Sequence, residues 1–178
     1  MNKLLCCVFQ IVAVVTIFSG VSSCKFDDVE DKYPYTTAFF AYQDYNRNLI
    51  VGEGLKMNVI VTLSGVFTNK EDRIVRYKVD PSLLNGVAGK TLLPDGYYSL
   101  GHPNQIVILK GDLIGYLPVV IDSAKFLAHP KALTGEFVLP ISITKDSPNV
   151  DTVFTGKSFI RISLSYRAKQ FGNYQYAR

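Results

Sequence analysis

Tryptophan is absent from the 178 residues, histidine occurs twice, and cysteine occurs only at Cys6, Cys7 and Cys24. Nothing after Cys24 can form a disulfide within the chain, supply a thiolate to a metal or act as a cysteine nucleophile. His102 and His129 each precede a proline and read as turn residues. Two histidines fall short of the three or four ligands of a zinc site. No G-x-S-x-G elbow accompanies either of them, so a Ser-His-Asp triad is not indicated. A glycine-rich phosphate loop is also missing. Asp44-Tyr45-Asn46-Arg47-Asn48 opens like a calcium loop, but Leu49 and Leu55 stand where that loop needs Gly and Glu. Charge of one sign is not in excess: 19 Lys+Arg face 15 Asp+Glu. That balance is too even to argue for nucleic acid. Carboxylates at Asp95, Asp112, Asp122 and Glu136 fall in turns and strand ends, with no pairing of the kind glycosidase chemistry requires. The sequence therefore reads as a non-enzyme with no cofactor and no metal.

What is present begins with a short basic start (Lys3) and an uncharged apolar run from Leu4 to Gly20, closing on Val21-Ser22-Ser23-Cys24. This is the layout of a secretory signal peptide. A spanning anchor is the rival, but the run is at the short limit for a bilayer and acidic residues follow it. Val-Ser-Ser-Cys resembles a bacterial lipobox with Val21 in place of the usual Leu. The resemblance implies cleavage before Cys24 and lipidation of its thiol. Lys25-Phe26-Asp27-Asp28 resembles the sorting signal that sends Bacteroidetes lipoproteins to the outer leaflet of the outer membrane. DDVEDK also reads as a solvated linker. The expected organisation is signal peptide 1–23, lipidated cysteine and tether 24–34, one folded domain 35–167 and a tail 168–178.

From Tyr35 onward the hydrophobic period is two. Strands are expected at 35–42, 55–63, 72–80, 104–112, 116–122, 135–144 and 157–166. DYNRN (44–48) reads as a turn, with NLIV returning from it. Pro140 cannot donate to a ladder, so its strand should be an edge or bulge there. PSLLNG (81–86) and SAKFLAHP (123–130) suggest short helical turns. The whole is an all-β, immunoglobulin-like sandwich of about seven to eight strands without the Cys…Trp…Cys hallmark. Exposed tyrosines remain as a handle for ligand. Tyr97 and Tyr98 follow a PDG turn, and strand alternation would turn one of them outward. Tyr42 and Tyr45 flank a turn. Stacking on sugar rings is one role for these four, and ordinary sheet packing is the other.

VDPSLLN, LLPDGYYSL, NQIVILKGD and GEFVLPISIT, in that order, resemble the N-terminal domain of unknown function of Bacteroidetes surface lipoproteins. The matching positions are Val79-Asp80 with Leu83 and Leu84, Leu93-Pro94 with Tyr98, Ile108 with Lys110-Gly111, and Phe137 to Pro140 with Ile141 and Ile143. The resemblance implies an immunoglobulin-like sandwich between a lipid anchor and a second, glycan-binding or glycan-hydrolysing domain, in a polysaccharide-utilisation system. It implies a surface-exposed lipoprotein held in the outer membrane, with polysaccharide and other uptake proteins as partners and no nucleic acid. Asp122-Ser123-Ala124 and Asp151-Thr152-Val153 match the O-glycosylation sequon of that phylum, at Ser123 and Thr152. The expected role is an accessory glycan-binding or module-presenting component. The alternatives are a structural spacer without a ligand, or a fimbrial or adhesin-like subunit assembled by strand donation.

Overall fold

The computed structural model describes residues 35–169. Alternation of apolar and polar residues sets the main strands. In β3 (Lys56–Ser64), Met57, Val59, Val61 and Leu63 are buried while Lys56, Asn58 and Ile60 face outward. Strands β1 (Thr37–Phe39), β6 (Tyr98–Leu100), β8 (Ile114–Ile121) and β10 (Thr152–Val153) join it in a five-stranded sheet ordered β10-β1-β3-β8-β6. The second sheet contains β2 (Asp44–Ile50), β4 (Arg73–Val79), β7 (Gln105–Ile108), β9 (Phe137–Ile143) and β11 (Phe159–Arg167), ordered β2-β11-β9-β4-β7, with β5 (Thr91–Leu92) also pairing β9. The two inner faces enclose one apolar core, from Phe40, Val61 and Leu117 on one side to Val75, Leu139 and Leu164 on the other. Complete burial of a large apolar side chain contributes about 1.5–3 kcal/mol. Interdigitation of this kind holds the described domain without a disulfide.

The immunoglobulin-like sandwich expected from the sequence is present, with eleven strands among the described residues rather than seven or eight. Strands β5, β6 and β10 are two or three residues long, too short to leave a period. The larger correction is DYNRN, which is not a turn. It is the body of β2, paired parallel with β11 from Asp44↔Arg161 to Arg167↔Ile50. Only Leu49 of its seven residues is buried. An exposed edge strand needs no apolar face, so it reads as a loop.

Pro140 corrects the other expectation: β9 lies inside the sheet, and all seven of its residues are buried. The carbonyl of Val138 accepts from Leu93 N–H at 2.9 Å, and that of Pro140 from Asp80 N–H at 3.0 Å. These positions therefore turn their backbone toward β5 and β4. The β5 ladder covers Phe137–Val138 and the β4 ladder starts at Ile141. The missing N–H of Pro140 falls in the gap between the two ladders, where no strand needs it.

Two short helices, α1 (Ser123–Leu127) and α2 (Lys131–Thr134), close one end of the core. Phe126 and the ring of His129 pack on Phe137 at 6.1 and 4.8 Å between centroids. His129 Nδ1 accepts from Lys131 N–H at 3.2 Å. His102 sits in an exposed turn whose carbonyl takes the Tyr77 hydroxyl at 2.6 Å. Pro81–Leu84 forms a 3-10 turn capped by Asp80.

The chain enters the sandwich at Thr36, where both Thr36 N–H and Oγ1 reach Asp151 Oδ2 at 2.7 Å. This is the Ser64 end of β3, since Thr37 pairs with Ser64. The final strand ends at Arg167, whose carbonyl accepts from Val51 N–H at 3.1 Å, beside the Leu55 end of β3. Thr36 and Arg167 thus lie at opposite ends of a nine-residue strand, about 30 Å apart along it at ~3.3 Å per residue.

Candidate functional site

The four candidate tyrosines divide into two groups once the strands are placed. Tyr97 precedes β6 and Tyr98 begins it, so strand alternation does not govern the pair. Both are half-buried against the core. The Tyr97 ring lies 6.0 Å from that of Phe137. The Tyr98 hydroxyl points at Asp95 Oδ1 at 3.4 Å, and burial, followed by the Asp95 charge, raises its pKa. The outward member expected of this pair is not found. Alternation instead places Ser99 outward and exposed.

Tyr42 and Tyr45 form the second group. Residues 40–43 carry the chain from one sheet to the other. Phe40 N–H donates to Lys157 O at 2.9 Å and Arg161 N–H to Gln43 O at 2.7 Å, which fixes both ends of this crossover. Tyr42 projects from it and stacks on Tyr45, with centroids 6.3 Å apart and planes inclined by 24°. Tyr42 is 65% exposed and Tyr45 38%. Between them in sequence, Asp44 holds Arg161 with two charge-assisted bonds, Nε to Oδ1 at 2.7 Å and Nη2 to Oδ2 at 2.8 Å. This contact raises the Arg161 pKa further. The Arg161 guanidinium also lies over Phe159, 5.5 Å from its centroid. Arginine is held in one plane by these contacts. The sequence gives no local sign of the pair, because its members stand 117 residues apart.

Ser123 is the exposed first residue of α1, behind Asp122, whose carboxylate caps Lys125 N–H at 3.1 Å. That bond is the main cause of the lowered Asp122 pKa. Thr152 is exposed on β10, in register with Thr37. Both residues are exposed. Cys24, together with the signal and tether readings, lies outside the described residues. Asp95 and Asp122 serve local turns, and Glu136 accepts from Thr134 Oγ1 at 2.8 Å. Among the described residues there is no group of three His, Cys, Asp or Glu able to hold a metal. One further surface was not foreseen: Ile60, directly across from Tyr116, and Ile114 and Val120 are exposed on the outer face of the five-stranded sheet.

A family model described only as a "-like, N-terminal domain" matches residues 31–150. The chain belongs to this N-terminal domain family. The match spans VDPSLLN, LLPDGYYSL, NQIVILKGD and GEFVLPISIT, the stretches on which the resemblance to a Bacteroidetes domain of unknown function rests. No curated protein matches the chain. Three solved structures similar to this chain come from Bacteroides. One is a Bacteroides ovatus protein of unknown function, 22% identical with a TM-score of 0.65 over 74% of this chain and 52% of the other. A second B. ovatus protein, described as a candidate carbohydrate-binding protein, is 17% identical with a TM-score of 0.55 over 72% and 36%. An auxiliary nutrient binding protein of Bacteroides thetaiotaomicron is 17% identical with a TM-score of 0.53 over 74% and 46%. The chain thus spans about half or less of each of these structures. At such identities they establish the fold of the family's N-terminal domain and nothing finer.

Proposed function

We propose that this domain is an accessory, glycan-contacting component of a surface lipoprotein in a polysaccharide-uptake system. The observation that carries the reading is the stacked, exposed Tyr42–Tyr45 pair where the chain crosses into the edge strand β2. Tyrosine rings present an apolar face to the C–H face of a sugar, while their hydroxyls take its hydroxyls. The names of the carbohydrate-binding and nutrient-binding Bacteroides structures support the same direction. In this proposal Cys24 carries the lipid, residues 25–34 form the tether, and the domain is not itself an enzyme.

The test is affinity electrophoresis of the purified, detergent-solubilised protein in gels cast with plant, host and microbial polysaccharides. Retardation by at least one polysaccharide, weakened in Tyr42→Ala and Tyr45→Ala, is expected. Unchanged mobility in all of them refutes the binding role. Labelling of intact cells with an antibody to the domain tests its surface position, and Cys24→Ala should release the protein from the membrane fraction.

A second reading is favoured by a separate observation. Thr36 and Arg167 sit at opposite ends of the sandwich. A rigid domain threaded from end to end acts as a spacer and holds whatever is joined to it about 30 Å farther out. This module-presenting role is compatible with glycan contact and survives if no glycan binds.

A further inference from the structure

Strand β2 pairs with β11 in parallel and in register over seven residue pairs. In such a pair, partners share a face and faces alternate. Ile162 and Leu164 are buried in the core, so Tyr45 and Arg47, their partners, stand on the inner side of the edge strand. The outward face carries three polar rungs: Asp44–Arg161, Asn46–Ser163 and Asn48–Ser165. Successive rungs are two residues apart, about 6.6 Å along the strands.

The outer rungs are closed within the protein. Asp44 and Arg161 form the two-bonded ion pair described above, and Ser165 Oγ donates to Asn48 Oδ1. The middle rung is open: neither the Asn46 amide nor the Ser163 hydroxyl has a side-chain partner among the described residues. An amide offers two donors and an acceptor, and a hydroxyl offers one donor and two lone pairs. On one side, the 3-10 turn borders the first rung, with the Leu83 carbonyl 3.4 Å from Arg161 Nη1. The ladder has no net charge, because Asp44 cancels Arg161.

We infer that the β2–β11 ladder is a binding strip for a neutral polysaccharide chain, whose hydroxyls bond to the open Asn46–Ser163 rung between two rungs fixed in advance. This rests on the glycan reading above, names its substrate class and adds contacts on the face of β2 opposite Tyr45. The two fixed rungs limit the side-chain ordering that binding requires. An anionic chain gains little here, since Arg161 is already neutralised and freeing it would leave Asp44 beside the ligand.

The experiment is calorimetric titration of the full, detergent-solubilised protein with neutral polysaccharides (xyloglucan, galactomannan, starch) and anionic ones (polygalacturonate, chondroitin sulfate). Asn46→Ala, Ser163→Ala and the double variant are compared with wild type, and thermal unfolding verifies that each is folded. Binding of a neutral chain, weakened about tenfold or more in the double variant through loss of two hydrogen bonds, is the expected result. Wild-type affinity in the folded double variant, with loss in Tyr42→Ala, overturns the ladder and leaves the glycan reading standing on the tyrosines. Preference for an anionic chain overturns the neutral class. Absence of binding by wild type to every chain overturns both.

Discussion

Replacing Arg73 by Met removes the centre of the polar cluster that pins the start of the sandwich. Arg73 Nε donates to Asn69 Oδ1 at 2.8 Å, and Nη1 donates to Thr36 Oγ1 at 3.3 Å and to the Asn149 carbonyl. Its side chain is 11% exposed and Asn69 is 1% exposed. Asn69 in turn donates to the Leu109 carbonyl at 2.9 Å, so the cluster joins β1, β4, the end of β7 and the loop before β10. Leaving the buried Asn69 oxygen without a donor costs about 1–3 kcal/mol, and the Thr36 and Asn149 bonds, which water can replace in part, add about 0.5–1 kcal/mol together. The nearby Glu71 at 3.5 Å is largely exposed and adds little. Methionine keeps most of the aliphatic packing, so the loss is polar and totals about 1.5–4 kcal/mol. Urea unfolding should show this as a lower midpoint at unchanged slope, and heating as a fall in Tm of roughly 10 °C. A cycle with Asn69→Ala should give a coupling of about 1 kcal/mol or more. A loss under about 0.5 kcal/mol, or additive single variants, would refute the account of this cluster.

Gly65→Ala should be among the most damaging single changes. Gly65 has φ +88° and an added Cβ would lie 2.0 Å from the Tyr35 carbonyl oxygen, so a cost above about 3 kcal/mol is expected in urea unfolding. Gly86→Ala is the control, with φ +78° but open space, and should cost only about 1 kcal/mol; equal costs would deny the clash. Stability should also fall in acid. Asp151 has its pKa lowered, first by the Thr36 hydroxyl and then by the Thr36 N–H, and Asp80 by the Ser82 hydroxyl and then Lys78. Groups depressed in the folded state contribute above their unfolded value, about 3.9, and lose that contribution as pH falls through the folded values. Urea midpoints measured from pH 6 to pH 2 should drop below about pH 4, and less steeply in Asp151→Asn; a profile flat down to pH 2 would contradict this.

The long strands were legible because each sets one apolar face against water. LKMNVIVTL, DRIVRYKVD and KSFIRISLSY carry that alternation, and β3, β4 and β11 follow it. The pattern failed where burial did not decide the residue. β2 is polar on both faces because its register with β11 is set by backbone bonds at an exposed edge. β8 is apolar on both faces, so alternation along it does not separate the exposed Ile114, Tyr116 and Val120 from the core. Pro140 was misjudged because the switch of partner strand beside it, from β5 to β4, arises from segments more than forty residues away. Of the four candidate tyrosines, the sequence identified the exposed Tyr42 and Tyr45. It could not foresee their stacking, or the Arg161 and Ser163 groups that long-range pairing brings beside Asp44 and Asn46.

The measurement that bears most directly on the central claim is retention of the whole, folded protein by a polysaccharide, compared with its Tyr42→Ala/Tyr45→Ala double variant in the same gel. The account predicts retardation of the wild type by at least one neutral polysaccharide and free migration of the double variant, with matching thermal unfolding. Free migration of both in every polysaccharide, or equal retardation of both, would contradict it.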